Sequence, residues 1–445
     1  MPFQNNWKNT KQQLSKLTKS SLLKSISIYT FFRVINRTVP VVLLPFLTHY
    51  LSPKDYGIVD FYLLWLLLLT PLVGLNTSNS AGRFYYDKDE LDYPVYISSV
   101  FYFNLLTAIT WLIVVFSFGT FILKNINIEV GLSFLFYLVL NAAFNQISII
   151  QLTNWRVRNK PIPYGILGLV RTVTEIGLSV ILVKFFIQNW EGRILGQYMG
   201  AFIAFGVSAY FMVKDGLLKW SFNFDYLKKA INYGAPLILH SIGGILIGYS
   251  NRFFIYKFLD VEAAGIFASA FQIGLAVALL QSSFNEAWVP YFFNLLKNSN
   301  NHKTRLHIVK VTYLYFASLI VLTAFLIVLL PFIYRFIGDQ YDSGQSLSMY
   351  IMIAYLFNGM YKMFGNYLFF LKKTKIIAFG TILTLAFNLV LNYFLIPEFG
   401  LNGAAASLAI SFFLEFLIFV LIAQYFFKMP WFFNKKQKDD AYKDI

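Results

Sequence analysis

The chain has 445 residues, 58% of them hydrophobic, 19% aromatic and only 13% charged, more apolar surface than a water-soluble fold of this size can bury. Its formal charge of +16 comes from Lys and Arg at the ends of apolar segments, not from a separate basic domain, so nucleic acid is excluded as a partner. Cysteine is absent, which excludes disulfides, thiolate metal sites and cysteine nucleophiles.

Residues 1–24 form a basic lead-in with Lys8, Lys11, Lys16, Lys19 and Lys24. Apolar runs long enough to span a hydrocarbon core of roughly 30 Å then follow. The expected spans are 25–49, 58–82, 94–123, 130–152, 164–187 and 194–213, then 231–256, 263–292, 308–336, 344–371, 376–396 and 401–427. The reading is an all-α polytopic membrane protein of about 12 transmembrane helices. Continuous runs of this length are not the alternating pattern of a membrane barrel.

Assigning each Lys and Arg near a span end to the nearer side puts 26 with the termini and even-numbered gaps and 7 on the opposite side, with Arg33, Arg37, Arg171 and Lys362 inside spans. The positive-inside rule therefore predicts cytoplasmic termini. The gap 214–230 divides the spans six and six, giving an N-lobe at 25–213, a cytoplasmic linker at 214–230, a C-lobe at 231–427 and a cytoplasmic tail at 428–445. Leu51-Ser-Pro-Lys-Asp-Tyr-Gly57-Ile58 shares its frame with Leu259-Asp-Val-Glu-Ala-Ala-Gly265-Ile266, 208 residues later. Gly192-Arg-Ile-Leu-Gly196 resembles Gly400-Leu-Asn-Gly403 at nearly the same offset. Two matches at one offset indicate a duplication, and an even number of spans per half makes the repeats parallel.

Ionisable residues inside spans usually face a bundle interior or a watery cavity. On the first span Tyr29, Arg33, Asn36, Arg37 and Pro40 recur at three- and four-residue spacing, on one helix face. Arg33 and Arg37 make a fork suited to a diphosphate; the competing account has Arg33 snorkelling to headgroups and Arg37 pairing with a carboxylate. Arg171 and Glu175, four apart on the fifth span, read either as a self-neutralising ion pair or as a coupling-ion contact. Glu286, beside the polar run Gln281–Asn285, is the other candidate for binding a coupling cation; His240, Lys362 and Glu415 are weaker singles. Phosphate-loop, metalloprotease and nucleophile-elbow motifs are missing, so the chain reads as a transporter and not an enzyme.

Tyr50-Leu-Ser-Pro-Lys-Asp-Tyr-Gly57, Ala81-Gly-Arg83-Phe-Tyr-Tyr-Asp87, Asn251-Arg252 and Glu286-Ala-Trp288-Val-Pro290 resemble the polysaccharide transporter branch, which includes the O-antigen flippases, of the multidrug, oligosaccharidyl-lipid and polysaccharide exporter superfamily. That resemblance implies two six-helix lobes in a V shape, alternating access and a central cationic cavity. It implies a substrate of undecaprenyl-diphosphate-linked oligosaccharide, an O-antigen or capsule repeat unit, moved from the inner to the outer leaflet of a bacterial cytoplasmic membrane. Membrane lipids and downstream polymerase and chain-length proteins are the implied partners; no cofactor is implied, though H+ or Na+ coupling is. Arg83 and Arg252 are carried over from the resemblance as substrate-binding residues. The related peptidoglycan-precursor flippases typically have fourteen spans, which the count here does not match. Two alternatives remain: a cation-coupled multidrug antiporter of the same superfamily, which calls for a more acidic cavity, and a membrane glycan-synthesis enzyme, which calls for a catalytic loop.

Overall fold

The computed structural model describes residues 28, 31–32, 35–36, 38–39, 44–124, 128–297, 302–371 and 373–431. Among these the regular structure is helical. A helical run over 44–50 precedes ten long helices: α1 Pro53–Leu72, α2 Tyr93–Lys124, α3 Leu132–Val157, α4 Pro161–Phe185, α5 Trp190–Lys214, α6 Phe224–Phe258, α7 Val261–Lys297, α8 His302–Ile337, α9 Gly344–Phe370 and α10 Thr374–Phe426. Eight of the described helices are long and apolar enough to cross a membrane. Helix α10 breaks at Gly400, whose φ of 57° is left-handed, so it contains two runs, matching the two expected final spans.

The chain divides into two compact units. Among the described residues, one holds those up to Tyr256 with Asp260–Ser269 and Phe336–Tyr341; the other holds Lys257–Leu259, Ala270–Arg335 and those from Asp342 onward.

In the first unit α1 begins at a capping box: Ser52 Oγ accepts from the Asp55 amide at 3.1 Å, the Ser52 amide donates to Asp55 Oδ2 at 3.2 Å, and Pro53 presets the first turn. Asp55 also accepts from the Trp190 amide at 3.1 Å, so one carboxylate fixes the starts of α1 and α5. The expected second span ran over 58–82; the helix instead starts at Pro53 and stops at Leu72. Pro71 lies in its last turn, and Gly74, Leu75 and Asn76 all have positive φ. The Asn104 side chain occupies the space a Cβ at Gly74 would take and donates to Thr77 Oγ1 at 3.1 Å. The non-helical link is thus largely buried and several of its polar groups are paired, the condition under which irregular backbone survives at membrane depth.

Helices α1, α2, α3 and α5 share an apolar core that includes Tyr62, Leu66, Val115, Phe134, Leu138 and Ile194. Helix α5 packs on α4 through small residues: a Cβ at Gly196 would strike the Ser179 backbone, and one at Gly200 the Glu175 backbone. In the second unit the two runs of α10 meet in a comparable way, with Asn388 donating to Ser411 Oγ at 3.1 Å and a Cβ at Gly403 striking the Leu395 carbonyl.

Candidate functional site

Charged groups inside these helices were the expected carriers of function, and the structure sorts them by burial and partner. Arg252, late in α6, is buried in the first unit. Its Nε donates to Asp60 Oδ1 at 2.9 Å and Oδ2 at 2.8 Å, and the two side chains are only 4% and 8% exposed. The guanidinium lies 4.5 Å from the Tyr249 ring centroid and 5.9 Å from that of Phe267. Tyr256, one turn on, donates its hydroxyl to the Gly57 carbonyl at 2.9 Å, with Asp60 Oδ2 3.4 Å away. Two opposite charges, one hydroxyl and aromatic faces therefore make a nearly dry cluster joining α1 to α6. In an apolar wall neither charge is tolerable alone, and each makes the other's burial bearable.

Arg83 has the opposite surroundings. It lies on the short helix Ser80–Phe84, its Nη1 donating to Asp87 at 2.6 Å, and its side chain is 51% exposed. The hydrogen bond to Asp87 and its negative charge raise the Arg83 pKa further above its ordinary value.

Arg171 and Glu175 form the expected pair on α4, Nε to Oε1 at 2.7 Å, both partly buried. Nearby, Arg193 of α5 donates to Ser179 Oγ at 2.6 Å, and Ser179 in turn donates to the Glu175 carbonyl at 2.5 Å. Glu286 of α7 is exposed. Arg33 and Arg37 lie outside the described residues. The structure thus brings Arg171 to Glu175, sets Arg83 apart at the surface and gives Arg252 a partner that sequence reasoning passed over. Asp60 had a signal: it is a lone carboxylate within the apolar run Ile58–Leu69.

The second unit has its own buried polar cluster. Glu415, on the second run of α10, is 4% exposed. Asn358 of α9 hydrogen-bonds to it, and the Lys362 ammonium lies within electrostatic range. Gln281 of α7 donates to Asn358 Oδ1 at 3.0 Å, and Lys362 Nζ donates to Ser282 Oγ at 3.3 Å. This network joins α7, α9 and α10 through amides and one carboxylate. Among the described residues no group of His, Asp and Glu could hold a metal ion.

Among the described residues, long apolar helices that carry charged groups in their interior are an arrangement found in membrane transporters. The fold agrees: a structure of the lipid II flippase MurJ in an inward closed conformation superposes with a TM-score of 0.69 at 17% identity, covering 89% of this chain and 87% of that one. An inward-facing multidrug resistance MATE family transporter of the MOP superfamily gives 0.61 at 12% identity, covering 92% and 98%. The chain belongs to the polysaccharide biosynthesis protein family, whose model matches residues 22–296. A Haemophilus influenzae protein of the Lsg locus is 25% identical over 408 residues, 88% of this chain and 98% of the relative. The "Probable low-salt glycan biosynthesis flippase" of Haloferax volcanii is 25% identical over 259 residues, 55% of this chain and 52% of its own length. The family resemblance read from the sequence motifs therefore holds.

Proposed function

We propose that this chain is a flippase that moves an undecaprenyl-diphosphate-linked oligosaccharide from the inner to the outer leaflet of a bacterial cytoplasmic membrane. The observation that carries the reading is a polysaccharide biosynthesis family match on a chain built of membrane helices in a transporter fold. A polar glycan on a diphosphate cannot enter hydrocarbon unaided, because its charges would lose their water without replacement. Carrying such a head group across is a step that polysaccharide synthesis requires and that a membrane protein of this family is suited to perform. The relative named as a glycan biosynthesis flippase supports the cargo class.

Arg33 and Arg37, on one face of the first span, are the groups we assign to the diphosphate, since guanidinium binds phosphate oxygens bidentately and stays charged. The termini and the linker 214–230 are cytoplasmic on this reading, following the excess of Lys and Arg on that side. Glu175 and Glu286 remain the proposed carboxylates for H+ or Na+ coupling.

The test is a deletion strain. Lipid-linked repeat units should accumulate on the inner leaflet while surface glycan is lost, and the wild-type chain should restore both. Normal outward movement of labelled lipid-linked units in vesicles from the deletion strain would overturn the proposal. Efflux of cationic drugs with no effect on glycan would favour the antiporter alternative.

A further inference from the structure

We propose that Asp60 is a positioning residue that holds the extracytoplasmic side of the transport path closed, by pairing Arg252 beneath a crossing of Gly57 with Gly265. The inference rests on the transport reading for its consequence and on the fold for its geometry.

The two glycines are the matching positions of the internal repeat, Leu-x5-Gly-Ile in each half. In the first unit they face each other. A Cβ at Gly57 would overlap the Val261 carbonyl oxygen, and a Cβ at Gly265 would overlap the Pro53 carbonyl oxygen and press on the Gly57 nitrogen. The starts of α1 and α7 therefore touch backbone to backbone, an approach only glycine permits. On one side of the crossing Tyr341 donates its hydroxyl to the Leu51 carbonyl at 2.9 Å, and Gln340 Nε2 donates to the carbonyls of Thr48 at 3.1 Å and Leu51 at 3.2 Å. The Tyr341 ring meets Tyr56 edge-on at 6.2 Å. On the other side lie Tyr256, bonded to the Gly57 carbonyl, and the Arg252 to Asp60 pair. The strip from Thr48 to Asp60 is thus gripped by three segments from the second half of the sequence, at 252–256, 261–265 and 340–341.

By the charge distribution, the gap before α1 and the gap between α6 and α7 lie on the side poor in Lys and Arg, hence outside. A path that releases cargo outward has to part this strip from the three segments. Most of the grip is weak and reversible, made of single neutral hydrogen bonds and van der Waals contact. The ion pair is different in kind. Separating it within apolar surroundings strands two charges, so it opens only when water or a charged group arrives to replace each partner. The closed arrangement is therefore held by a discrete latch and yields in one step.

The absence of native cysteine makes the test direct. Ala264 is 1% exposed, so a chain carrying Ala264→Cys should react slowly with a membrane-impermeant maleimide added outside intact cells. Asp60→Asn and Arg252→Gln should each speed labelling by about tenfold or more, as the open state becomes populated. The exchange Asp60→Arg with Arg252→Asp should restore slow labelling, and faster labelling in the single variants that only parallels a loss of folded protein, read by thermal unfolding in detergent, would overturn the latch. Unchanged labelling in both single variants at normal membrane levels, or an exchange variant as fast as the singles, would overturn the latch. Labelling seen only after permeabilisation would overturn its extracytoplasmic placement. No transport enters this measurement, so failure of the flippase reading shows separately, in the glycan assay.

Discussion

The family resemblance implies one role for Arg83 and Arg252, yet they occupy opposite environments. Arg252 is buried against tyrosine and phenylalanine rings and paired with a carboxylate 192 residues away; Arg83 is half exposed and paired with its own helical neighbour Asp87. The first pair exists because α1 and α6 are packed together; the second joins residues four apart along the chain. An arginine in a buried cross-helix pair reports on the arrangement of helices, whereas an exposed local pair reports on almost nothing beyond its own turn.

The sharpest way to break that comparison is to remove Asp60. Asp60→Ala leaves a guanidinium buried without its counter-charge and should destabilise the folded protein by about 3–5 kcal/mol. Thermal unfolding in detergent would show it, and the Asp60→Ala/Arg252→Ala double variant should recover part of the loss through a coupling of at least about 1 kcal/mol. Equal and additive effects in that cycle would mean the pair contributes nothing as a pair.

A steric change comes next. Gly200→Val places methyl groups into the Glu175 backbone and should cost about 1–3 kcal/mol by forcing α4 and α5 apart, which the same unfolding assay would report. An Arg171 to Glu175 coupling energy that falls in the Gly200→Val background would show that this partly buried pair depends on helix packing, as the Arg252 pair does.

The exposed pair sets the lower bound. Arg83→Ala and Asp87→Ala should couple by no more than about 0.5 kcal/mol, and any larger value would place Arg83 in a contact that exposure does not reveal. If Arg83 touches cargo, its loss should slow glycan export while leaving unfolding unchanged.

The smallest expected effect concerns pH. The hydrogen bond from Lys219, 3.0 Å from Asp92 Oδ2, holds the Asp92 carboxyl below its ordinary pKa. A depressed folded-state pKa contributes stability that is present above the unfolded value and is lost as pH falls through the folded one. Stability measured from pH 6 down to pH 3 should therefore drop less steeply in Lys219→Ala. Both side chains are nearly half exposed, so the difference should stay below about 0.5 kcal/mol. Identical acid limbs would mean the bridge is too well solvated to matter.

The helical membrane fold was legible in the sequence because it follows from one-dimensional quantities. Apolar runs of spanning length, their separation by charged gaps and the Leu-x5-Gly-Ile repeat need no knowledge of what touches what. The Arg171 to Glu175 pair was legible for the same reason, since four residues along a helix are one turn. Asp60 was not. Its partner is 192 residues away, and a single carboxylate in an apolar run has no periodicity to announce it. The break after Leu72 was missed because the turn at Gly74 to Asn76 leads into a short helix at Thr77–Asn79 and is braced in part by Asn104, from another helix. The repeat glycines were visible as a pattern, but their contact was not: sequence shows that Gly57 and Gly265 are alike, and only packing decides that each lacks a side chain because the other's helix is there.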